Sequence, residues 1–432
     1  MTDFSGLGLA EPILRALHHE GYATATPIQQ RAIPPLLAGR DLLGLAQTGT
    51  GKTAAFAAPI IHRLLAESRR PAPKTVRALV LAPTRELAAQ IAESFRAYGR
   101  FAKLSVATVF GGVGYGPQVQ AMARGLDVLV ATPGRLLDHI EQRTVDLSQT
   151  RIVVLDEADH MLDLGFVKPI RRILGKLPAE RQNLFFSATM PDEIAALAAE
   201  MLRDPVKVSV APVARTADRV AQQVIRVESG AKRELLADLL ADPDFERTIV
   251  FTRTKRGADR VARHLADAGV DAAAIHGDKS QSQRQKALDG FKSGRTRVLV
   301  ATDIAARGID VDAVSHVVNF ELPEVPEAYV HRIGRTARAG AEGRAISFCA
   351  DDERDQLRAI EKLTRQVLPV EDRRGRYAFT APRPAQPQRP AARPPQGRSG
   401  HGQGHGRGQG GLARAGAPAK SRRAPQGRAA RP

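Results

Sequence analysis

The chain of 432 residues has one cysteine, Cys349, which excludes an intramolecular disulfide and fits a reducing compartment. Its setting, RAISFCADD, reads as the end of a buried strand. No apolar run approaches the roughly 18–20 residues that a membrane-spanning helix needs, and the opening MTDFSGLGLAEP lacks the charged-then-apolar build of a secretory signal. A cytoplasmic protein without membrane attachment is therefore expected. Acidic residues are missing from 373–432, which holds 14 Lys or Arg. The other 372 residues hold 50 basic and 46 acidic side chains, a net of +4, so most of the total of +18 belongs to the tail. Aromatic residues also stop at Phe379. Such an Arg, Pro, Gly, Gln and Ala composition cannot bury enough apolar surface to offset its ordering entropy, so 373–432 is read as a disordered basic tail.

What remains is rich in core-forming residues. The apolar fraction is 43%, and the length exceeds what one hydrophobic core usually serves. Short β-rich runs alternate with helical patterns over 30–350, which predicts an α/β chain with parallel sheets. The first half offers DLLGLA, RALVLAP, LSVATVF, DVLVATP, RIVVLDEAD and QNLFFSAT; the second offers RTIVFTR, VDAAAIHG, TRVLVATD, VSHVVNF and GRAISFCA. Between them DPVKVSVAPVARTADRVAQQ shows no long helix. The expected layout is a first domain over 1–207, a linker over 208–218, a second domain over 219–372, and the tail.

Two stretches carry chemistry. DLLGLAQTGTGKTAAF sets a strand, a small-residue loop ending in GKT at 51–53, and a helix in the order of a phosphate-binding loop. In such a loop backbone amides and the helix N-terminus cradle phosphates, Lys52 pairs with the terminal phosphates, and the Thr53 hydroxyl reaches Mg²⁺. The first position of this pattern is Ala46 where glycine is usual. Further on, VVLDEADHML ends a strand in Asp156, Glu157 and Asp159, three carboxylates that resist one another without a cation nearby. Asp156 is read as the Mg²⁺ ligand and Glu157 as the general base for water.

An ordered series then resembles one family, the DEAD-box ATP-dependent RNA helicases, over residues 4–343. It runs from Phe4 through GYATATPIQ (21–29), AQTGTGKT (46–53), PTREL (83–87), Gly111 and Gly112, TPGR (132–135), DEAD (156–159) and SAT (187–189). The second half adds VFTRT (250–254), HGDKSQSQR (276–284), ATDIAARGID (301–310) and HRIGRTAR (331–338). The HGDKSQ segment is most similar to the bacterial RhlE-type subgroup. The family tolerates Ala46; Ala337 stands where its members more often have glycine.

The resemblance implies two tandem RecA-like domains and several roles. Phe4 would stack on adenine, Gln29 would read its edge, and Asp310 would contact the ribose. Ala46, Gln47, Thr48, Gly49, Thr50, Gly51, Lys52 and Thr53 would hold the ATP phosphates. Arg335 and Arg338 would act as arginine fingers; with Arg332 they form an i, i+3, i+6 series that repels itself without an anion. Asp159, Ser187, Thr189 and His331 would couple the domains. RNA would cross Thr84, Arg85, Gly112, Thr132, Gly134 and Arg135 in the first domain and Gly277, Gln281, Arg284 and Thr302 in the second, recognised mainly through its backbone.

The implied activity is RNA-stimulated ATP hydrolysis coupled to unwinding of short duplexes or remodelling of ribonucleoprotein. Alternatives from the same residues are an ATP-dependent RNA clamp or annealing protein, and a DNA-acting helicase of this fold. The expected partners are ATP, Mg²⁺ and RNA, with ribonucleoprotein or RNA-decay partners reached through the tail. A monomer is expected, because both halves of the ATP site lie in one chain.

Overall fold

Continuous Val, Ile, Leu and Ala runs suit strands buried on both faces, as parallel sheets between helix layers require. The computed structural model describes residues 3–47, 49–67, 69–210, 220–306, 311, 314–337 and 343–377, all in one compact unit, Met1–Phe379. The first lobe contains β1 (Leu42–Leu45), β2 (Val76–Leu81), β3 (Val106–Val109), β4 (Leu126–Ala131), β5 (Ile152–Leu155), β6 (Gln182–Ser187) and β7 (Val206–Ser209). They form a parallel sheet of order β3-β4-β2-β5-β6-β1-β7. The second lobe contains β8 (Val220–Arg226), β9 (Thr248–Thr252), β10 (Ala272–Ile275), β11 (Val298–Thr302), β12 (His316–Asn319), β13 (Gly343–Cys349) and β14 (Val370–Asp372). Its sheet is also parallel, in the order β10-β11-β9-β12-β13-β8-β14.

Each sheet separates two apolar cores, because successive side chains of a strand point to opposite faces. Phe186 packs with Phe56 and Phe95 on one side of the first sheet, while its neighbour Phe185 joins Leu79 and Met161 on the other. Cys349 ends β13 and is buried, as its apolar setting predicts. No helix among the described residues is long and apolar enough to cross a membrane.

Three strands depart from the expected layout. β7 lies in the stretch read as a boundary and pairs with β1, so the first sheet reaches Ser209, past residue 207. β8 was hidden by Gln222 and Gln223, which a buried strand would not be expected to carry. Both find partners: the Tyr329 hydroxyl donates to Gln222 Oε1 (2.7 Å), and Gln223 Nε2 donates to Glu371 Oε2 (3.0 Å). β14 adds to the edge of β8, and the described chain continues to Tyr377, beyond the composition boundary at 372. Tyr377 packs on the second-lobe core, and Arg373 and Arg374 pair with Glu371 and Asp372, each at 2.6 Å. Residues 378–432, most of the expected tail, lie outside the described residues.

Candidate active site at the carboxyl ends of the strands

Open α/β sheets present their ligand sites beyond the carboxyl ends of their strands. Here β1, β5 and β6 deliver the phosphate loop, the DEAD carboxylates and the SAT segment, whereas β2, β3 and β4 deliver the residues expected to meet RNA. The loop at 46–51 leads from β1 into the helix Lys52–Ala66. Gly51 is left-handed (φ +92°), and a Cβ there would stand 2.5 Å from Gln29 Nε2 and 3.0 Å from Thr26 Oγ1, so glycine is required. Lys52 is buried; its Nζ donates to the Ala46 carbonyl (3.0 Å) and lies 4.0 Å from Asp156 Oδ1. The Thr50 hydroxyl donates to the Gln47 carbonyl (2.7 Å), Gly49 takes φ +84°, and Thr53 is the second residue of the helix. Thr48 lies outside the described residues.

Gln29 is fully buried with both ends of its amide engaged. Its Oε1 accepts from Thr26 N (2.8 Å) within a capping box, and its Nε2 donates to the Gly51 carbonyl (3.1 Å). It thus ties the helix Pro27–Leu37 to the phosphate loop. Phe4 is buried edge-on to Tyr22, centroids 6.2 Å apart, and anchors the N-terminal turn in the core.

Asp156 is buried just beyond β5. Burial pushes its carboxyl up to about 6, against the opposing pull of Lys52. Glu157 caps the short helix Ala158–Asp163 in a left-handed conformation (φ +53°), a strain of ~1–2 kcal/mol for a non-glycine residue that characteristically collects at functional sites. Burial alone would raise its pKa. The hydrogen bond with His160 and the charges of Lys52, His160 and Arg335 prevail and hold it below the usual carboxylate range. His160 Nδ1 stands 3.4 Å from Glu157 Oε2. Asp159 Oδ2 accepts from Thr189 N (2.9 Å) and Thr189 Oγ1 (3.0 Å), while Ser187 Oγ accepts from Asp159 N (3.2 Å) and donates to the Thr189 carbonyl (2.8 Å). The third carboxylate of the DEAD sequence therefore has its partners in the SAT segment.

The second lobe reaches this cluster through the turn after the helix Pro326–Ile333. Arg335 and His331 line one cleft with Lys52, Glu157, Asp159, His160 and Ala188, a cavity of only about 20 Å³. Arg332 does not share their role. Its guanidinium is buried in its own lobe, bound to both carboxylate oxygens of Asp303 (2.5 and 2.7 Å) and donating to Asn319 Oδ1 and the Glu321 carbonyl. The expected repulsion among three arginines is thus already relieved at Arg332. Ala337 takes φ +54°, which explains why glycine suits this position and costs the alanine ~1–2 kcal/mol. Asp310 and Arg338 lie outside the described residues.

The candidate RNA residues also gather at strand ends. Thr84 caps the helix Arg85–Tyr98, accepting from Leu87 N, and Thr132 occupies the same position before the helix Pro133–Glu141. Arg85 lies across Gly112. Arg135 donates to the Val113 carbonyl (3.2 Å) and sits 5.7 Å from the Tyr115 ring centroid; Gly134 precedes it in the same helical turn. In the second lobe Gly277 follows β10, Thr302 ends β11, and Gln281 and Arg284 open the helix Gln281–Lys292. Across the lobes Gln281 Oε1 accepts from Arg85 Nη1 (3.4 Å), and both Gln281 and Arg284 bind Glu86, at 3.1 and 2.9 Å. Burial, then the Arg284 charge, lowers the Arg85 pKa. Glu86 is buried and was missed in the sequence, although PTREL contains it; nothing in the motif reveals that its partners lie 195 and 198 residues further on.

Among the described residues no three His, Cys, Asp or Glu side chains cluster as a metal site. The donors on hand are one under-neutralised carboxylate, Asp156, and the Thr53 hydroxyl. That set fits Mg²⁺, which takes its other ligands from phosphates and water.

The cleft and the two sheets define a P-loop ATPase whose site is shared between two RecA-like lobes. The DEAD/DEAH box helicase model matches residues 26–197, and the helicase conserved C-terminal domain matches 231–340. The chain belongs to the DEAD-box family and is an ATP-dependent RNA helicase that hydrolyses ATP. It is 43% identical over 377 residues to the ATP-dependent RNA helicase CshA of Limosilactobacillus reuteri, covering 87% of this chain and 75% of that protein. S. cerevisiae Dbp5 bound to RNA and ADP BeF3 superposes with a TM-score of 0.78 at 32% identity, over 86% of this chain and 96% of that one. A point variant of Dbp5 bound to Nup159, a Gle1 variant, IP6 and ADP covers 85% and 96% at 31% identity, yet scores 0.60.

Proposed function

We propose that ATP hydrolysis in this chain depends on closure of the two lobes around RNA, and that closure separates short duplexes. The observation that carries this reading is Arg335 of the second lobe lining one cleft with Lys52 and Glu157 of the first. Glu157, held ionised, takes a proton from the attacking water. Lys52 and Arg335 offset charge on the transferred phosphoryl group. Thr53 and Asp156 would hold Mg²⁺, which supplies further charge neutralisation on the phosphates when bound. Lys52 must leave the Ala46 carbonyl to reach a phosphate, and Gln29 must release Gly51 or Thr26 to reach adenine. The cavity of about 20 Å³ has to open for ATP, so entry, closure and release form a cycle. Phe4 would meet the base only if its ring is uncovered; Arg338 as second finger and Asp310 on the ribose complete the assignment. Asp159, Ser187, Thr189 and His331 relay closure. ATP hydrolysis measured without nucleic acid, with single-stranded RNA and with matched DNA tests the reading; equal stimulation by DNA would overturn the choice of RNA.

RNA recognition would pass over Thr84, Arg85, Gly112, Thr132, Gly134, Arg135, Gly277, Gln281, Arg284 and Thr302. Glu86 acts on these residues as an interlobe latch, since it holds Arg284 and Gln281 beside Arg85. Glu86→Gln removes the charge and keeps the shape. Loss of one partner of a buried charge pair costs about 2 kcal/mol or more, so interlobe fluorescence transfer with RNA and a nonhydrolysable ATP analogue should show the closed fraction falling. An unchanged closed fraction would show that the latch is ornamental.

The two domains would extend over about 1–207 and 219–372, adjusted for β7 and β14, with a monomer as the working unit and the cytoplasm as its location. The HGDKSQ segment supports an RhlE-type assignment within the family. The Arg-rich tail would tether RNA and reach ribonucleoprotein or RNA-decay partners. Deleting 378–432 should weaken RNA binding and flatten its dependence on salt while sparing ATP binding; an unchanged salt slope would sink the tether.

A further inference from the structure

The edge strand β10 reads Ala272, Ala273, Ala274, Ile275, whereas the adjacent β11 and, beyond it, β9 carry Val, Leu, Ile and Phe. The small side chain of Ala273, on the face that packs against the helix Gln281–Lys292, leaves space between that helix and the sheet edge. That helix carries Gly290 in its interior, at about 1 kcal/mol relative to alanine. A Cβ there would lie 2.7 Å from Thr296 Oγ1, so glycine lets the segment 295–296 approach. The resulting cavity of about 370 Å³ is within the size range of small-ligand pockets.

Its walls hold Lys279, Lys286, Arg295, the Gln283 amide and the Thr296 hydroxyl, with no carboxylate among them. Lys279 is paired with Asp259 (2.8 Å), and Arg295 Nε donates to Ser293 Oγ (3.1 Å). The Lys286 side chain makes no hydrogen bond or ion pair among the described residues. Lys279 is already offset by Asp259, whereas Lys286 and Arg295 have no carboxylate partner among the described residues, and like charges brought together this way favour an anion between them.

We propose that this pocket binds a phosphate-bearing anion, on the second lobe and apart from the ATP cleft. The cations converge on one pocket instead of spacing along the strand, which favours a compact multivalent phosphate over an extended acidic peptide. Two sources share that chemistry: a free polyphosphate compound, or the backbone of RNA flanking the strand near Gln281 and Arg284 on the same helix. The site does not depend on the catalytic assignment.

The test is acetylation of Lys286 read by mass spectrometry on the full chain, with ADP and Mg²⁺ in excess to fill the ATP site. Inorganic tripolyphosphate at ten times its Kd should slow labelling of Lys286 about tenfold. Lys292, exposed on the same helix outside the pocket, should label as before. Ala273→Leu, which fills the cavity from the strand face that packs on the helix Gln281–Lys292 without altering charge, should abolish the protection, and Arg295→Ala, at an exposed position, should weaken it. RNA-stimulated ATP hydrolysis should persist in both variants, which separates this site from the helicase cycle. Protection by long single-stranded RNA that tripolyphosphate competes away would identify the source as RNA; protection by tripolyphosphate alone would identify a free anion. No protection by either, equal protection of Lys286 and Lys292, protection unchanged in both variants, or protection by poly-glutamate in place of phosphate would overturn the proposal.

Discussion

Glu157→Gln is expected to lower RNA-stimulated ATP hydrolysis by about 10²–10⁴-fold, the contribution of a positioned general base. Single-turnover hydrolysis at saturating RNA reads the chemical step, and ATP affinity should stay near wild type, because the amide keeps the shape of the carboxylate and removes only its basicity. A loss smaller than about tenfold would take the base assignment away from Glu157. The pH profile provides a second reading. Glu157 is held low by His160, Lys52 and Arg335 once they outweigh its burial, so it stays ionised on the acid side of neutrality. Asp156 behaves in the opposite sense. Its folded pKa, pushed up to about 6 by burial, lies above its ordinary value of 3.8, so the fold favours its protonated form and loses stability from this group as pH rises through about 6. A cation that needs the charged carboxylate therefore binds better above that pH. The acid limb of activity should fall near pH 6, and in the residual activity of Glu157→Gln it should move to lower pH, because the Glu157 charge is one of the causes that hold the Asp156 pKa up.

Arg335→Ala is expected to lower kcat by about 10³–10⁵-fold, the range for an arginine supplied to a transferring phosphoryl group. Arg335→Lys should recover little of this, since a point charge does not reproduce the planar fork of a guanidinium. ATP should still bind, because Lys52 and the loop at 46–51 belong to the other lobe. Arg335 is also one of the charges that keep the Glu157 pKa low, so its removal should move the Glu157 titration towards higher pH. A kcat within about tenfold of wild type would mean that its place in the cleft is structural only.

How far the sequence was legible followed burial. Strands whose two faces are both apolar, such as β2, β4, β9 and β11, could be read directly, as could the turn into the helix Lys52–Ala66. Edge strands could not: β7 exposes alternate residues, and β14 is three residues long. β8 was obscured by glutamines whose partners, Tyr329 and Glu371, are more than 100 residues away. At the site, the spacing of Asp156, Glu157 and Asp159 announced a charged cluster, and the structure brings Lys52, Arg335 and the SAT hydroxyls to it. Charge spacing alone misled at Arg332, because Asp303 neutralises it from another strand end. His160 and Glu86 were missed since their importance arises from contacts, at 3.4 Å to Glu157 and 2.9 Å to Arg284, that residue type does not disclose.

The lone cysteine has a practical consequence. Cys349 is buried at the end of β13, and burial followed by the nearby Glu353 charge pushes its thiol up, so little reactive thiolate is present at neutral pH. The native chain is therefore a quiet background for maleimide chemistry. One cysteine introduced on the exposed surface of each lobe would take a donor and an acceptor dye without first removing Cys349 from the core, and the same labelled preparation could follow the wild type, Glu86→Gln and Arg335→Ala through the cycle.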